Sequence, residues 1–157
     1  MTVIPLFEKE SNSPEETEAF GRILAEELLS DDSLPPFVAL YGDLGVGKTA
    51  FTRGVASVIS PASRVRSPTF ALVNEYPAKA GTPRFSAVFH FDLYRITSED
   101  ELDSIGFWDY PLRRGLILTE WSENIEDLLP EDYIRLSIKK TCKNENARIV
   151  KAERITR

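Results

Sequence analysis

Cysteine, histidine and methionine each occur once in these 157 residues. The lone Cys142 excludes an intrachain disulfide and fits a reducing compartment. It stands in Lys140-Thr141-Cys142-Lys143-Asn144 with no histidine nearby, so it reads as an incidental thiol and not a nucleophile. One histidine and one cysteine cannot build a zinc centre of the usual kind. No apolar run approaches the ~20 residues of a membrane helix. A basic N-terminal region followed by a long apolar run, the mark of a secretory signal, is also missing. The expectation is a soluble, cytoplasmic protein with no membrane partner. Positive charge is short as well: 19 Lys and Arg stand against 25 Asp and Glu, for a net charge of −6. That balance argues against tight, autonomous nucleic-acid binding, which rests on neutralising phosphates. Arg64-Val65-Arg66 and the stretch Lys151 to Arg157 are the local basic candidates, and both read as solvated surface.

What is present is ordinary globular composition, 42% apolar and 28% charged, so disorder is not indicated. Neither a repeat nor a low-complexity tract or linker interrupts the chain, and residues 1–157 read as one domain. Val3 to Phe7 suits a short strand. Ser13-Pro14-Glu15-Glu16 suits a helix start, with Ser13 as cap, Pro14 in the first turn and Glu16 closing a capping box. Phe20, Ile23, Leu24 and Leu28 then recur at helical spacing and predict the buried face. Asp31 to Pro36 reads as a loop. Phe37 to Tyr41 is a buried strand, and Lys48 to about Ile59 a helix ended by Ser60-Pro61. Phe70 to Tyr76 and Phe85 to Phe91 read as strands around a Gly81-Thr82-Pro83 turn. Ser98 and Glu101 predict a capped short helix that stops near Gly106. Leu116 to Leu118 is a further strand, and Tyr133 to Lys139 with Arg148 to Ala152 a closing hairpin. The fold class expected is α/β, a P-loop NTPase domain with a mixed, partly parallel central sheet flanked by helices.

Gly42-Asp43-Leu44-Gly45-Val46-Gly47-Lys48-Thr49 fits G-x-x-x-x-G-K-[ST] at every position. A phosphate chain needs several donors converging on one point, and a glycine-rich turn brings successive backbone N–H groups that close. The helix that follows adds free N–H groups and the positive end of its dipole. Lys48 supplies a point charge for the β- and γ-phosphates, and the Thr49 hydroxyl is a hard oxygen suited to magnesium. Chance gives such a match in a chain of this length about once in a few hundred. The strand before the loop and the helix after it supply the required context.

A P-loop enzyme also needs an acid at the end of a neighbouring strand. Two are on offer: Asp92 after Phe85 to Phe91, and Glu120 after Gly115 to Thr119. Each follows an apolar run and so reaches the carboxyl edge of a sheet, where ligands bind in open α/β folds. His90 lies two residues before Asp92 and on the same strand face. It reads as a packed or hydrogen-bonded structural histidine and not as a base. Ser67-Pro68-Thr69 before a strand is either a polar turn whose hydroxyls contact the γ-phosphate or magnesium, or an ordinary turn. Trp108 and Trp121 read as core or interface aromatics. Arg95 is either the ion-pair partner of a nearby acid or a phosphate contact.

In this order, the phosphate loop, Ser67-Pro68-Thr69-Phe70, His90-Phe91-Asp92-Leu93-Tyr94-Arg95 and Glu120-Trp121 closely resemble the bacterial TsaE (YjeE) family. The likeness runs from Val3 to Lys139. Members are small ATPases needed to make threonylcarbamoyladenosine in tRNA. The resemblance implies ATP and Mg2+ as cofactors, with the loop residues Gly42 to Thr49 and Thr69 around the nucleotide. Lys48 would bind the phosphates, Thr49 and Glu120 would hold magnesium, and Asp92 would be the Walker B-like acid supporting hydrolysis. Trp121 would neighbour the magnesium ligand, and Ser13 to Thr17 would approach the adenine. The partners implied are TsaD, which performs the transfer, and TsaB, with tRNA met only through the complex. Three positions depart from the family pattern: Val46 for Ala, Ala50 for a second Thr, and Ser122 for Pro. The competing readings are a small P-loop kinase of a nucleoside or other small molecule, and a nucleotide sensor that does not hydrolyse. No arginine-rich lid segment of a kinase is apparent in the sequence.

Overall fold

Strand β2 (Phe37–Tyr41) shows how the layers arise. Its side chains alternate between two cores: Val38 and Leu40 join one, Phe37 and Ala39 the other. A strand buried on both faces belongs in the middle of a covered sheet. The computed structural model describes residues 1–43, 45–68 and 72–157. Its remaining strands are β1 (Thr2–Ser11), β3 (Val73–Pro77), β4 (Ala87–Asp92), β5 (Gly115–Glu120), β6 (Asp132–Lys140) and β7 (Arg148–Thr156). All seven form one sheet in the order β1-β7-β6-β2-β5-β4-β3. The centre is parallel, with β2 beside β5 and β6, and β4 beside β5. Both margins are antiparallel.

Helices α1 (Pro14–Ser30) and α2 (Lys48–Ile59) cover one face. Leu24, Leu28, Phe51, Val55 and Ile59 pack there on Val38, Val88, Leu118 and Leu136. The short α3 (Glu99–Ser104) and the 3-10 turns that follow it cover the other face, around Phe89, Phe91, Leu102 and Phe107. α1 and α2 cross at glycines. A Cβ on Gly21 would collide with the Phe51 carbonyl, and one on Gly54 with the Glu18 carbonyl.

The elements follow the sequence with instructive exceptions. The bounds of β2 and α2 agree with the reading. Ser13 caps α1 by accepting from Glu16 N at 3.1 Å, while the Glu16 carboxylate reaches back to Asn12 N at 2.9 Å. The buried face of α1 is Thr17, Gly21, Leu24, Ala25 and Leu28, and Ile23 is exposed. The helix is rotated because Gly21 is a contact point, and apolarity alone does not mark a glycine as buried. β1 runs on to Ser11 because β7 pairs with it along its length. β3 starts later than expected, at Val73, after Leu72 at φ 65°. Phe70 lies outside the described residues. Arg84 closes the C-terminal end of α1 by donating to the carbonyls of Leu28 (2.8 Å), Asp31 (3.1 Å) and Leu34. Among the described residues, no helix is long and apolar enough to cross a membrane.

Candidate functional site

The turn from β2 into α2 lies at the carboxyl edge of the parallel strands. Gly42, Gly45 and Gly47 take φ of 150°, 80° and 119°, conformations open to glycine and strained for other residues. At Gly42 crowding adds to this, since a Cβ would meet the Ile138 carbonyl and the Val46 side chain at 2.7 Å each. Gly47 is the N-cap of α2, with neither a side-chain cap nor an acid in the first turn. The first N–H groups of the helix therefore face the loop and suit an anion. Arg148 on β7 holds the loop from outside by donating Nε to the Val46 carbonyl at 3.2 Å. Nothing local in the sequence ties that arginine to a turn 102 residues away.

Lys48 is nearly buried. Its ammonium donates to the Gly42 carbonyl at 2.7 Å and lies 4.9 Å from the Trp121 ring centre. The parallel register pairs Asp92 with Glu120, so both predicted acids end adjacent strands side by side. Even-numbered residues of β4 and β5 point toward α1 and α2, which turns both carboxylates to the loop. Asp92 Oδ1 accepts from Tyr94 N at 3.0 Å. Glu120 Oε2 lies 2.7 Å from His90 Nε2. A cavity of about 670 Å³ brings together Gly45, Gly47, Lys48, Thr49, Ser67, Asp92, Tyr94, Glu120 and Trp121. Leu44 and Thr69, also expected at the nucleotide, lie outside the described residues.

Trp121 is part of this site and not merely core. It follows β5 at φ 61° and packs against Tyr94, with ring centres 4.9 Å apart and planes tilted by 59°. Tyr94 was not singled out in the sequence, although it lies inside the His-Phe-Asp-Leu-Tyr-Arg block. Arg95 is exposed, does not line the cavity, and has no ion pair among the described residues. Thr17 adjoins the loop, 3.5 Å from where a Gly47 Cβ would stand, and its hydroxyl shares a 2.7 Å hydrogen bond with Ser11. Ser122 is buried and hydrogen-bonded to the Thr119 hydroxyl (2.8 Å) and carbonyl (3.0 Å), so it anchors the turn that a proline would otherwise stiffen. Next to the loop, burial, reinforced by the charge of Glu126, pushes the Tyr41 phenol above its ordinary value and keeps it protonated.

The donor set fits magnesium. Thr49, Asp92 and Glu120, whose side chains end in hard oxygens, line the same cavity, and magnesium takes one or two carboxylates together with substrate phosphates. Glu120 Oε1 receives no hydrogen bond from any described residue, which leaves it available as a ligand atom.

A strand, a glycine loop, a helix and two adjacent acids at the carboxyl edge of a mixed sheet define a P-loop NTPase architecture. The chain belongs to the TsaE family, described as "Threonylcarbamoyl adenosine biosynthesis protein TsaE", which matches residues 11–150. The tRNA threonylcarbamoyladenosine biosynthesis protein TsaE of Haemophilus influenzae is 42% identical over 120 residues, covering 76% of this chain and 73% of that protein. Its counterpart in Bacillus subtilis is 35% identical over 133 residues, covering 85% and 77%. The crystal structure of Bacillus subtilis YdiB superposes with a TM-score of 0.71 at 26% identity, covering 99% of this chain and 88% of that one.

Proposed function

We propose that this chain acts as one domain in the cytoplasm, binding ATP with magnesium and hydrolysing it. In this reading it serves an assembly with TsaD and TsaB that makes threonylcarbamoyladenosine in tRNA. The observation that carries the proposal is the shared cavity, in which the phosphate-loop lysine, the Thr49 hydroxyl and two strand-end carboxylates face one space. The loop amides and Lys48 bind the β- and γ-phosphates. Thr49 and Glu120 hold the metal, and Asp92 orients the attacking water. Magnesium, when bound, neutralises charge developing on the phosphates. The names of the relatives point to the same pathway.

Hydrolysis by the chain alone is slow. Fast phosphoryl transfer uses an arginine in cis or in trans, and among the described residues no arginine lines the cavity. The missing group, or the order it imposes, comes from a partner. The test is steady-state ATP turnover by the chain alone and then with TsaB and TsaD. Slow turnover that changes with the pair is expected. Rapid turnover indifferent to the pair would overturn the assembly role, and transfer of phosphate to a nucleoside would favour a kinase.

A further inference from the structure

His90 is the one histidine of the chain. It lies in the middle of β4 and is fully buried. Tyr76 packs beside its ring, with centroids 6.3 Å apart. A buried imidazole is costly unless it is hydrogen-bonded, and the partner found is the Glu120 carboxylate, 2.7 Å from Nε2. An ionised carboxylate only accepts, so the hydrogen is on Nε2 and is donated to Oε2. Nδ1 has no partner among the described residues, which fits a bare ring nitrogen there. A histidine that merely filled the core would not need its ring nitrogen aimed at the acid of the cavity.

We propose that His90 is a positioning residue for Glu120. Its Nε2–H fixes Oε2, sets the carboxylate in one orientation and leaves Oε1 to serve as the metal ligand. The parallel register makes this possible: His90 lies opposite Leu118, one same-face step behind the Asp92–Glu120 pair. The hydrogen bond therefore comes from the buried side, away from the cavity. Partners of this kind orient metal ligands, and their loss costs about ten- to hundredfold in metal affinity. The inference rests on the proposed reading of Glu120 as a magnesium ligand.

The test follows ADP binding by calorimetry, with magnesium and with chelator, in the full chain and in His90→Leu, His90→Gln and Glu120→Gln. In His90→Leu the gain in affinity from magnesium falls about ten- to hundredfold, and magnesium-free binding is unchanged. His90→Gln, whose amide N–H reaches toward the same oxygen, restores most of the gain. Because His90→Leu removes a polar core group and can fail to fold, the native chain supplies a second measurement. Its single imidazole gives one pair of 15N signals. The hydrogen is expected on Nε2, and that resonance should move with magnesium and ADP more than with ADP alone. A hydrogen on Nδ1, an Nε2 signal indifferent to magnesium, or an unaltered magnesium gain in His90→Leu overturns the inference. If Glu120→Gln loses the gain in that case, the ligand reading survives. If Glu120→Gln keeps the full gain, the ligand reading fails and takes the inference with it.

Discussion

Lys48 spans the phosphate loop, bonded to the Gly42 carbonyl at its start and placed over Trp121 beyond it. An ammonium shared between a carbonyl and an aromatic face is readily recruited by phosphate oxygens, because a contact between two opposite charges outweighs one to a neutral acceptor. Lys48→Ala removes a contact worth roughly 1.5–3 kcal/mol. ATP affinity should fall about ten- to hundredfold, as read by equilibrium titration, with a further loss in turnover. On the proposed reading, Asp92 separates binding from chemistry. Asn at this position still offers an oxygen to Tyr94 N, so the turn after β4 persists while the charge is lost. Asp92→Asn should bind ATP nearly as the native chain does and fail to hydrolyse it in single-turnover assays. Normal turnover would leave the acid role to Glu120. Lys48, Thr49, Asp92 and Glu120 were each legible because a motif or a strand end marks them. The His90–Glu120 bond was not. Thirty residues separate the two, and only the register of two parallel strands, which side-chain patterning does not specify, brings them together.

Among the elements, α2 was read to its ends because glycine and lysine open it and Ser60-Pro61 closes it. The face of α1 and the length of β1 escaped the reading because each is set by a distant element, α2 in one case and β7 in the other. The glycine crossing of α1 and α2 predicts a large effect from a small change. Gly54→Ala places a methyl against the Glu18 carbonyl and should destabilise the fold by about 1–3 kcal/mol, the range for overpacking, measured by urea unfolding. Gly45 offers the contrast: a Cβ there meets no described residue within 4 Å. Gly45→Ala should cost backbone strain in the loop and spare the core. The β6–β7 hairpin carries an acid-sensitive contact. Burial alone would raise the Glu153 carboxyl, but hydrogen bonds and charge from Arg135 and Lys151 outweigh it and hold it below its usual 4.5. A lowered folded-state value adds stability above the unfolded value and loses it as pH falls through the folded one. Unfolding midpoints should therefore drop below about pH 4.5, and Glu153→Gln should flatten that part of the profile. An unchanged slope in the variant would remove Glu153 from the account.

Over the whole molecule the acidic balance governs what the chain meets directly. With a net charge of −6, tRNA should show no binding by the isolated chain tighter than the roughly micromolar level of non-specific contacts at physiological salt. Fluorescence anisotropy of labelled tRNA checks this, and tight, salt-resistant binding would contradict it. Charge and the phosphate loop were legible at this scale, and so was the partly parallel sheet. The strand order was not, because β1 and β7 carry no mark of each other. Their pairing has a bearing on how the protein is made. A growing chain emerges N-terminal end first, and among the described strands β1 has only β7 as a sheet neighbour, at the far end of the described fold. Among the described strands the first in chain order, β1, therefore waits unpaired for the last, β7. Through that wait the α1–α2 face can assemble on the central strands, but the sheet margin cannot close, and the Arg148 prop behind the phosphate loop arrives with the same late strand. The outer support of the phosphate loop is thus in place only once synthesis has run past Arg148 on β7.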